Sequence, residues 1–596
     1  MIHSFHIPVL GLGYSIDSPL KVARYGITSV VSIVDDILIE EMRKFHCAQQ
    51  NLPFEPFLPH IEDSRAKRIT AYLNLMQDLV NQQFDQIQNQ EFISPNDILK
   101  YFELLPDSSS YKQLYNQMLS TSNRGVKAYL QQKLRSLMKP GAIDVNIMAK
   151  VDKTNVDATG KALDDVYSDA LAAFRGYAQS NLESSIILSA GMNPRLYSYI
   201  ERFEDFFPSE NGTIKKQIVL KVSDFRSALI QGKFLAKKGI WVSEFRIESG
   251  LNCGGHAFAT DGYLLGPILE EFKTKKSDMI SELYALYQRA LIERDKTIPT
   301  SIPTMRISAQ GGIGTTAEQN FLLNYYNLDI TGWGSPFLLV PEATNVDEDT
   351  LKRLTTATAD DFYISNASPL NVPFNHFRDS TVEEQRLERI AKGRPGNPCK
   401  KKFLVSNTEF GVTPLCTASR EYQHLKIKQL GTENLSETEY KLAFDTITEK
   451  ICLCDSLCSS VYIKNNTIKP RQNKAVAICP GPNIVHFSKT YSLEEMVQHI
   501  YGKVHLFDTE KRSHLFINEL QLYVDYFKKD LNNHLTTLND RKKKHLNNFK
   551  AQLLNGIEYY KQLIPNITLE TDHFKQKMQD ELLALEYKLI ALSISL

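Results

Sequence analysis

The sequence predicts an α/β fold of the (β/α)8 TIM barrel class, with a large helical insertion after strand 2 and a C-terminal extension that is first cysteine-containing and then helical. Eight short runs rich in β-branched residues, most of them followed by a glycine-containing turn and a helical pattern, indicate this class. Several runs are apolar throughout, as parallel strands buried on both faces are. Eight strands alternating with helices close most economically into a barrel, and a doubly wound sheet is the alternative.

The predicted strands are His6–Leu12, Ile27–Val34, Ile143–Met148, Ser185–Ser189, Gln217–Val222, Gly239–Phe245, Thr304–Ser308 and Leu328–Gly332. A long stretch separates the second strand from the third and contains helical patterns such as RAKRITAYLNLMQDLVNQQFDQIQ and KAYLQQKLRSLM. Residues 36–140 are therefore predicted to form a helical insertion on one barrel loop, either a lid or interface element or a separate domain with no role at the site.

The remaining organisation follows from composition. We assign residues 1–35 and 141–395 to the barrel, 396–505 to a cysteine-rich extension and 506–596 to a C-terminal helical region. Lys+Arg and Asp+Glu both number 69, and this balance argues against a nucleic-acid binder. No apolar run is long enough to span a membrane, and the first residues lack a secretory signal. Six of the eight cysteines lie within residues 399–479, which is not a disulfide framework and predicts a cytoplasmic protein.

Two glycine-containing loops follow the last two predicted strands. Residues 309–315 (AQGGIGT) come after the seventh strand and open a helix, and residues 332–337 (GWGSPF) end the eighth. Glycines let a backbone approach a phosphate, and the N–H groups at a helix start point towards an anion. In barrels of this class the loops after strands seven and eight commonly form a joint phosphate site. The pair predicts a cofactor that carries a phosphate.

Two further features lie at the predicted carboxyl ends of strands. Residues 248–256 (ESGLNCGGH) follow the sixth strand, and His256 after a Gly-Gly turn is a candidate general acid or base. Cys253 is a weaker candidate nucleophile, because it has no dedicated base beyond His256. Lys221 on the fifth strand either projects into the barrel mouth, where its charge would stabilise an anion, or extends outward.

Six segments match a known family in order and spacing over roughly residues 5–35 and 143–345. They are Pro8–Gly13 (PVLGLG), Asp144–Asn146 (DVN), Lys221–Val222 (KV), Asn252–His256 (NCGGH), Gln310–Ile313 (QGGI) and Gly334–Ala343 (GSPFLLVPEA). Together they resemble the nitronate monooxygenase (2-nitropropane dioxygenase) class of FMN-dependent barrels, which includes flavin-type enoyl-ACP reductases. Asn252-Cys253 stands where the family has Glu-Ala, and Ser335 where it has Thr, so the chain resembles a large, divergent branch.

The resemblance implies the following site. The FMN phosphate would be held by Gly311, Gly312, Gly334 and Ser335. Asn146 and Lys221 would lie near the isoalloxazine, and His256 would be the catalytic acid/base. The other cofactor-binding candidates in the matching segments are Gly11, Gly13, Gly254 and Gly255. We expect FMN and not FAD, because no GxGxxG motif follows a strand to bind a pyrophosphate.

The resulting expectation is an FMN-dependent oxidoreductase of the nitronate monooxygenase-like class, acting on a small molecule or an acyl thioester. The alternatives are an enoyl-thioester reductase with NAD(P)H as electron donor, and a catalytically retired barrel that serves as a scaffold or binding protein. The helical insertion is the expected surface for a homo-oligomer or a partner protein.

The cysteines support two interpretations. Cys399, Cys416, Cys454 and Cys479 are predicted to converge on a zinc ion or an iron–sulfur cluster beside the barrel, with Cys452 or Cys458 able to replace Cys454. No pair has the CxxC spacing of a zinc knuckle or a ferredoxin. Reduced structural thiols are the alternative.

Overall fold

The barrel strands are β1 (Phe5–His6), β2 (Ser29–Ser32), β3 (Ile143–Ile147), β4 (Ser185–Leu188), β5 (Gln217–Val222), β6 (Val242–Glu248), β7 (Arg306–Gln310) and β8 (Ile330–Gly332). The computed structural model describes residues 2–148, 152–156, 159–189, 191–253, 261–534 and 539–592. All eight strands are parallel, in the order β1-β8-β7-β6-β5-β4-β3-β2. A parallel bridge from Ile7 to Ser29 closes the sheet. The predicted (β/α)8 barrel is confirmed.

Helices alternate with these strands, and further helices lie in the insertion and after the last strand. The first is α1 (Ser18–Val22), and the insertion after β2 holds α2 (Asp36–Gln49), α3 (Ser64–Gln88), α4 (Asp97–Glu103), α5 (Ser110–Ser120) and α6 (Arg124–Leu137). The barrel continues with α7 (Asp169–Ala178), α8 (Pro194–Ile200), α9 (Phe225–Ala236), α10 (Leu265–Glu293), α11 (Thr316–Tyr325) and α12 (Glu348–Thr356).

The C-terminal part begins with an antiparallel hairpin, β9 (Phe362–Ser365) and β10 (Phe374–Phe377). It continues with α13 (Thr381–Ala391), α14 (Arg420–Leu430), α15 (Glu437–Thr448), α16 (Leu453–Lys464), α17 (Leu493–Ile500), α18 (Leu515–His534), α19 (Asp540–Leu563) and α20 (Asp572–Ala591). Short 3-10 turns lie at Ala23–Tyr25, Asp165–Tyr167, Glu204–Phe206, Ser335–Leu339, Ala359–Asp361, Pro482–His486, Thr509–Lys511 and Ile564–Asn566. Within the described ranges, no helix is long and apolar enough to cross a membrane.

The insertion is helical, as predicted, and packs directly on the barrel. Thr70 of α3 donates a hydrogen bond to the carbonyl of Gly176 in α7 at 2.9 Å. Tyr72 of the same helix donates to the carbonyl of Ile16, between β1 and α1, at 2.9 Å. Its buried apolar residues belong to the same continuous core as those of the barrel and the C-terminal helices. The insertion is thus fixed to the barrel by buried contacts.

Several strand boundaries differ from the prediction. The sixth strand is Val242–Glu248 and not Gly239–Phe245, because the apolar residues before Val242 are buried in the segment that leads into the strand. The seventh strand likewise ends at Gln310, two residues later than predicted. Glu248 and Gln310 are therefore strand residues, with side chains fixed by the sheet.

The barrel interior is more polar than the apolar strand pattern predicts. Side chains alternate across a strand, so Glu244, Arg246 and Glu248 of β6 share one face, and all three are buried. The opposite face carries Phe245 and Ile247, which belong to the main apolar core. The local pattern of hydrophobic residues did not predict these charged side chains inside the barrel.

Candidate active site at the barrel mouth

A carboxylate organises the polar layer at the carboxyl ends of the strands. Glu248 Oε1 lies 3.0 Å from Lys221 Nζ. The same oxygen accepts hydrogen bonds at 2.7 Å from the side-chain amides of Gln310 and Asn252. Lys221 therefore projects into the barrel and is held by a buried ion pair. The sequence analysis missed Glu248 as a site residue; a carboxylate that ends an otherwise apolar strand was the available signal.

Asn146 of β3 lies in the same buried layer. Its Oδ1 atom is buried and has no hydrogen-bond partner among the residues described. Leaving such an oxygen unpaired costs about 1–3 kcal/mol. A hydrogen-bond donor on a bound molecule would remove this cost, which fits the predicted position of Asn146 beside a cofactor.

A second charged group lies one layer deeper in the barrel. Glu244 accepts hydrogen bonds from Arg246 Nε at 2.8 Å, from Ser308 Oγ at 2.6 Å and from Arg306 Nε at 3.2 Å. Burial opposes ionisation of Glu244, but Arg246 and Arg306 outweigh it and lower the pKa of this carboxyl to about 2. Burial also holds the pKa of the nearby His6 well below its usual value. This layer is thus an internal ion cluster below the mouth.

The loop after β7 has the geometry expected of an anion-binding turn. Gly311 and Gly312 have φ angles of +104° and +80°, a region that favours glycine. The N–H groups of Gly314 and Thr315 donate to the carboxylate of Glu318, which also caps α11. In the part of the chain that the structure describes, the N–H groups of Gly312 and Ile313 make no such bond.

The loop after β8 lies close by. Cys253 in the loop after β6 packs against Gly334 in the loop after β8. The preceding residue, Asn252, packs against Gly311 in the loop after β7. The β6 loop therefore connects the loops after β7 and β8. Ser335 begins a 3-10 turn, and within the described ranges its N–H and that of Gly334 donate no hydrogen bond. The predicted phosphate residues are therefore assembled on two loops joined by a third.

A segment from the C-terminal part crosses this mouth, and we name residues 475–484 the strap. Tyr14 after β1 donates to the carbonyl of Ala477 at 2.5 Å. Cys253 Sγ donates to the carbonyl of Cys479 at 3.2 Å. Asn483 donates to the carbonyl of Ile313 at 3.0 Å. The strap is thus bonded to the loops after β1, β6 and β7, a contact between distant parts of the chain that the sequence did not reveal.

Arg512 fastens the same side of the mouth. Its side chain is 1% exposed and forms an ion pair with Glu318 at 2.5 Å. It also donates to the carbonyl of Gly312 at 2.5 Å and to Asn483 at 2.9 Å. The guanidinium therefore links the β7 loop to the strap, and Glu318 balances its charge.

The other predicted cofactor residues have different positions. Gly11 and Gly13 follow β1, and the backbone of Gly13 approaches α16 so closely that a Cβ there would lie 3.0 Å from the carbonyl of Leu457. The space beside Gly13 is therefore occupied by the backbone of α16. Gly254, Gly255 and His256 lie outside the described residues.

The predicted set of four metal ligands is wrong. Cys479 lies in the strap beside Cys253, whereas the thiol of Cys399 lies near that of Cys416 and the thiol of Cys452 near that of Cys454. Across the described residues, no group of three or more His, Cys, Asp or Glu side chains is arranged to hold a metal ion. Spacing along the chain could not reveal which thiols meet. Cys253 is buried, which raises the pKa of its thiol and argues against a nucleophile.

The fold and site together define a (β/α)8 barrel protein with a charged mouth. No family model matches the chain, and no curated protein matches it. Among solved structures, it is similar to the enoyl reductase domain of MlnA from the macrolactin biosynthesis cluster of Bacillus amyloliquefaciens, with 14% identity over 69% of this chain and 88% of that one and a TM-score of 0.31.

Two further structures are similar at the same low level. Nitroalkane oxidase from Streptomyces ansochromogenes has 11% identity over 64% of this chain and 85% of its own, with a TM-score of 0.28. An IMP dehydrogenase/GMP reductase-like protein from Corynebacterium glutamicum has 11% identity over 57% and 65%, with a TM-score of 0.21. Similarities this weak carry no argument about activity.

Proposed function

We propose that the chain is an FMN-dependent oxidoreductase of the nitronate monooxygenase-like class. The observation that carries the proposal is the set of N–H groups on the loops after β7 and β8, those of Gly312, Ile313, Gly334 and Ser335, which donate no hydrogen bond within the described part of the chain. Backbone N–H groups at such loops are the usual ligands of a terminal phosphate in this class of barrel. Arg512 donates to the carbonyl of Gly312 and so helps to hold the β7 loop in this conformation.

The residues of the polar layer fit a flavin ring. Asn146 offers a buried oxygen that needs a donor, and Lys221 offers a cation held in place by Glu248. When bound, the flavin would supply two-electron redox chemistry. Lys221 would stabilise negative charge on the ring side of the site, while Glu248 keeps the lysine positioned and balances its charge in the absence of substrate. His256 would hold or move the substrate proton, a role that rests on the resemblance.

Identification of the bound flavin tests the cofactor. Protein purified without added flavin should be yellow, and heat release followed by chromatography should yield FMN, because the two loops offer a site for one terminal phosphate. Recovered FAD, or no flavin uptake during reconstitution, would contradict the proposal.

The proposed role of His256 predicts a specific kinetic result. His256→Ala should keep the flavin but lower turnover by roughly 10²–10⁴, the usual contribution of a general acid or base. An unchanged rate and pH profile would place this histidine among structural residues. Oxygen uptake with alkyl nitronates, compared with NAD(P)H oxidation driven by enoyl thioesters, distinguishes the two enzymatic possibilities.

A further inference from the structure

Four thiols lie together beside the barrel mouth, outside the flavin site proposed above. The thiols of Cys399 and Cys416 are close enough to interact, and so are those of Cys452 and Cys454. Phe403 contacts both Cys452 and Cys454. It also lines a cavity with residues that follow β2 and β3, so the group is next to the mouth.

The backbone fixes the first thiol pair. Asn397 N–H donates to the carbonyl of Ala418 at 2.9 Å, and Arg420 N–H donates to the carbonyl of Asn397 at 2.9 Å. These bonds form a parallel bridge between the segments that carry Cys399 and Cys416. The bridge therefore holds the segments of Cys399 and Cys416 side by side.

The two thiols differ in their access to solutes. Cys399 is partly exposed, whereas Cys416 is 5% exposed and Cys452 and Cys454 are 6% exposed each. The neighbouring Cys416 thiol, aided by the N–H of Lys402, holds the pKa of the Cys399 thiol below its usual value despite burial. Cys399 is thus the accessible and more acidic member of the pair.

A cavity of about 910 Å³ opens onto Cys399 and Cys416. Its charged lining consists of Lys402, Arg420, Glu421 and the titratable His424. The Nε atom of Arg420 is buried and has no hydrogen-bond partner among the residues that the structure describes. A carboxylate on a bound molecule would satisfy this donor, so the cavity fits a small anionic ligand.

We propose that Cys399 and Cys416 form a thiol–disulfide exchange site for a small carboxylate-bearing disulfide, of which glutathione disulfide is the test case. The Cys399 thiolate attacks one sulfur of glutathione disulfide. A Cys399–glutathione S–S bond forms, the glutathione S–S bond breaks, and one glutathione leaves as a thiolate that takes up a proton.

Cys416 completes the exchange. As the Cys416 sulfur attacks the Cys399 sulfur, its proton passes to the leaving glutathione sulfur, so the Cys399–Cys416 S–S bond forms and the second glutathione leaves as a thiol. The two protein thiols are oxidised, and glutathione disulfide is reduced to two glutathione thiols. The activity needs no flavin, so its test is independent of the function proposed above.

Mapping of the thiols tests this inference on the full-length protein. After incubation with glutathione disulfide, alkylation and peptide mass spectrometry should find a Cys399–Cys416 disulfide. Cys416→Ser should accumulate glutathione on Cys399, and Cys399→Ser should abolish both products. Cys47→Ser, which changes a buried thiol in α2, is the matched control and should behave as the wild type.

The charge of Arg420 supplies a second measurement. Arg420→Gln should slow the reaction with glutathione disulfide roughly two- to fivefold, the effect of losing one partly exposed ion pair. The rate with the uncharged hydroxyethyl disulfide should not change. Equal reactivity of Cys399 and Cys47, absence of glutathione from Cys399 in Cys416→Ser, or stoichiometric zinc or iron that protects all four thiols would overturn the proposal.

Discussion

Replacing Arg512 with methionine should destabilise the protein, because Glu318, which is far from it in the sequence, loses its ion-pair partner. Methionine fills most of the space of the arginine stem but removes the charge, so Glu318 becomes a buried anion without its cation. Breaking a buried pair in this way costs about 3–5 kcal/mol. Glu318 keeps its bonds from the N–H groups of Gly314, Thr315 and Leu515, which stabilise the carboxylate. We therefore expect the lower end of that range.

Urea unfolding followed by circular dichroism at pH 7 measures this change. A double mutant with Glu318→Gln, which removes the orphaned charge, should be less destabilised than the sum of the single mutants. Arg512→Met should also release flavin faster, because the carbonyl of Gly312 loses its donor. A free energy of unfolding within about 0.5 kcal/mol of the wild type would refute the assigned role of the pair.

The pH dependence of the same variant provides a further check. Burial raises the pKa of Glu318 and Arg512 lowers it, with a net lowering below the ordinary 4.5. A lowered pKa in the folded state contributes stability that is present above pH 4.5 and is lost as the pH falls through the folded pKa. The difference in stability between wild type and Arg512→Met should therefore shrink in acid.

The remaining predictions concern the mouth and its supports. Gly312→Val should lower flavin occupancy, because its φ is +80° and a Cβ there would lie 2.5 Å from a Leu251 methyl group. Tyr14→Phe should cost about 1–3 kcal/mol, since it leaves the buried Ala477 carbonyl unpaired, and should speed flavin loss. Burial raises the pKa of Glu519 to about 7. Wild-type stability should therefore fall as the pH rises from 4.5 to 7, and Glu519→Gln should gain about 2–3 kcal/mol relative to it between pH 5 and 8.

Each of these has a control or a contrary result. Gly393→Val introduces a side chain at φ +64° with no atom within 4 Å, so it tests backbone strain without loop crowding; equal flavin loss in both valine variants would contradict the prediction. If the stability of Glu519→Gln changed with pH in the same way as that of the wild type, the prediction for Glu519 would be contradicted. For Tyr14→Phe, retention of flavin at the wild-type rate would separate the strap from cofactor binding.

The barrel was predictable from sequence because its signals are local. Short apolar runs, glycine turns and intervening helical patterns repeat along the chain, and right-handed crossovers leave few ways to connect them. The loops after β7 and β8 could be located for the same reason. The start of β6 could not be located, because Ile240 and Trp241 are as buried in the segment before the strand as they would be within it.

The connections that complete the site could not be predicted. Arg512 and Glu318 are 194 residues apart, and nothing in either local pattern marks the other as its partner. The pairing of Lys221 with Glu248 depends on the register of β5 and β6, which sequence patterns do not determine. The position of Cys479 could not be predicted either, because its separation from the other cysteines depends on the path of the chain through the strap.

The strap also has a consequence for the order in which the protein matures. Translation produces all eight barrel strands before the strap and Arg512 leave the ribosome, since β8 ends at Gly332. The chain must grow by 180 residues from Gly332 to reach Arg512, which takes on the order of 10–40 s at ordinary synthesis rates. During that interval the loops after β7 and β8 lack the contacts that later cover them. The cofactor proposed above would therefore have access to the nascent barrel at a time when no part of the finished protein has to open.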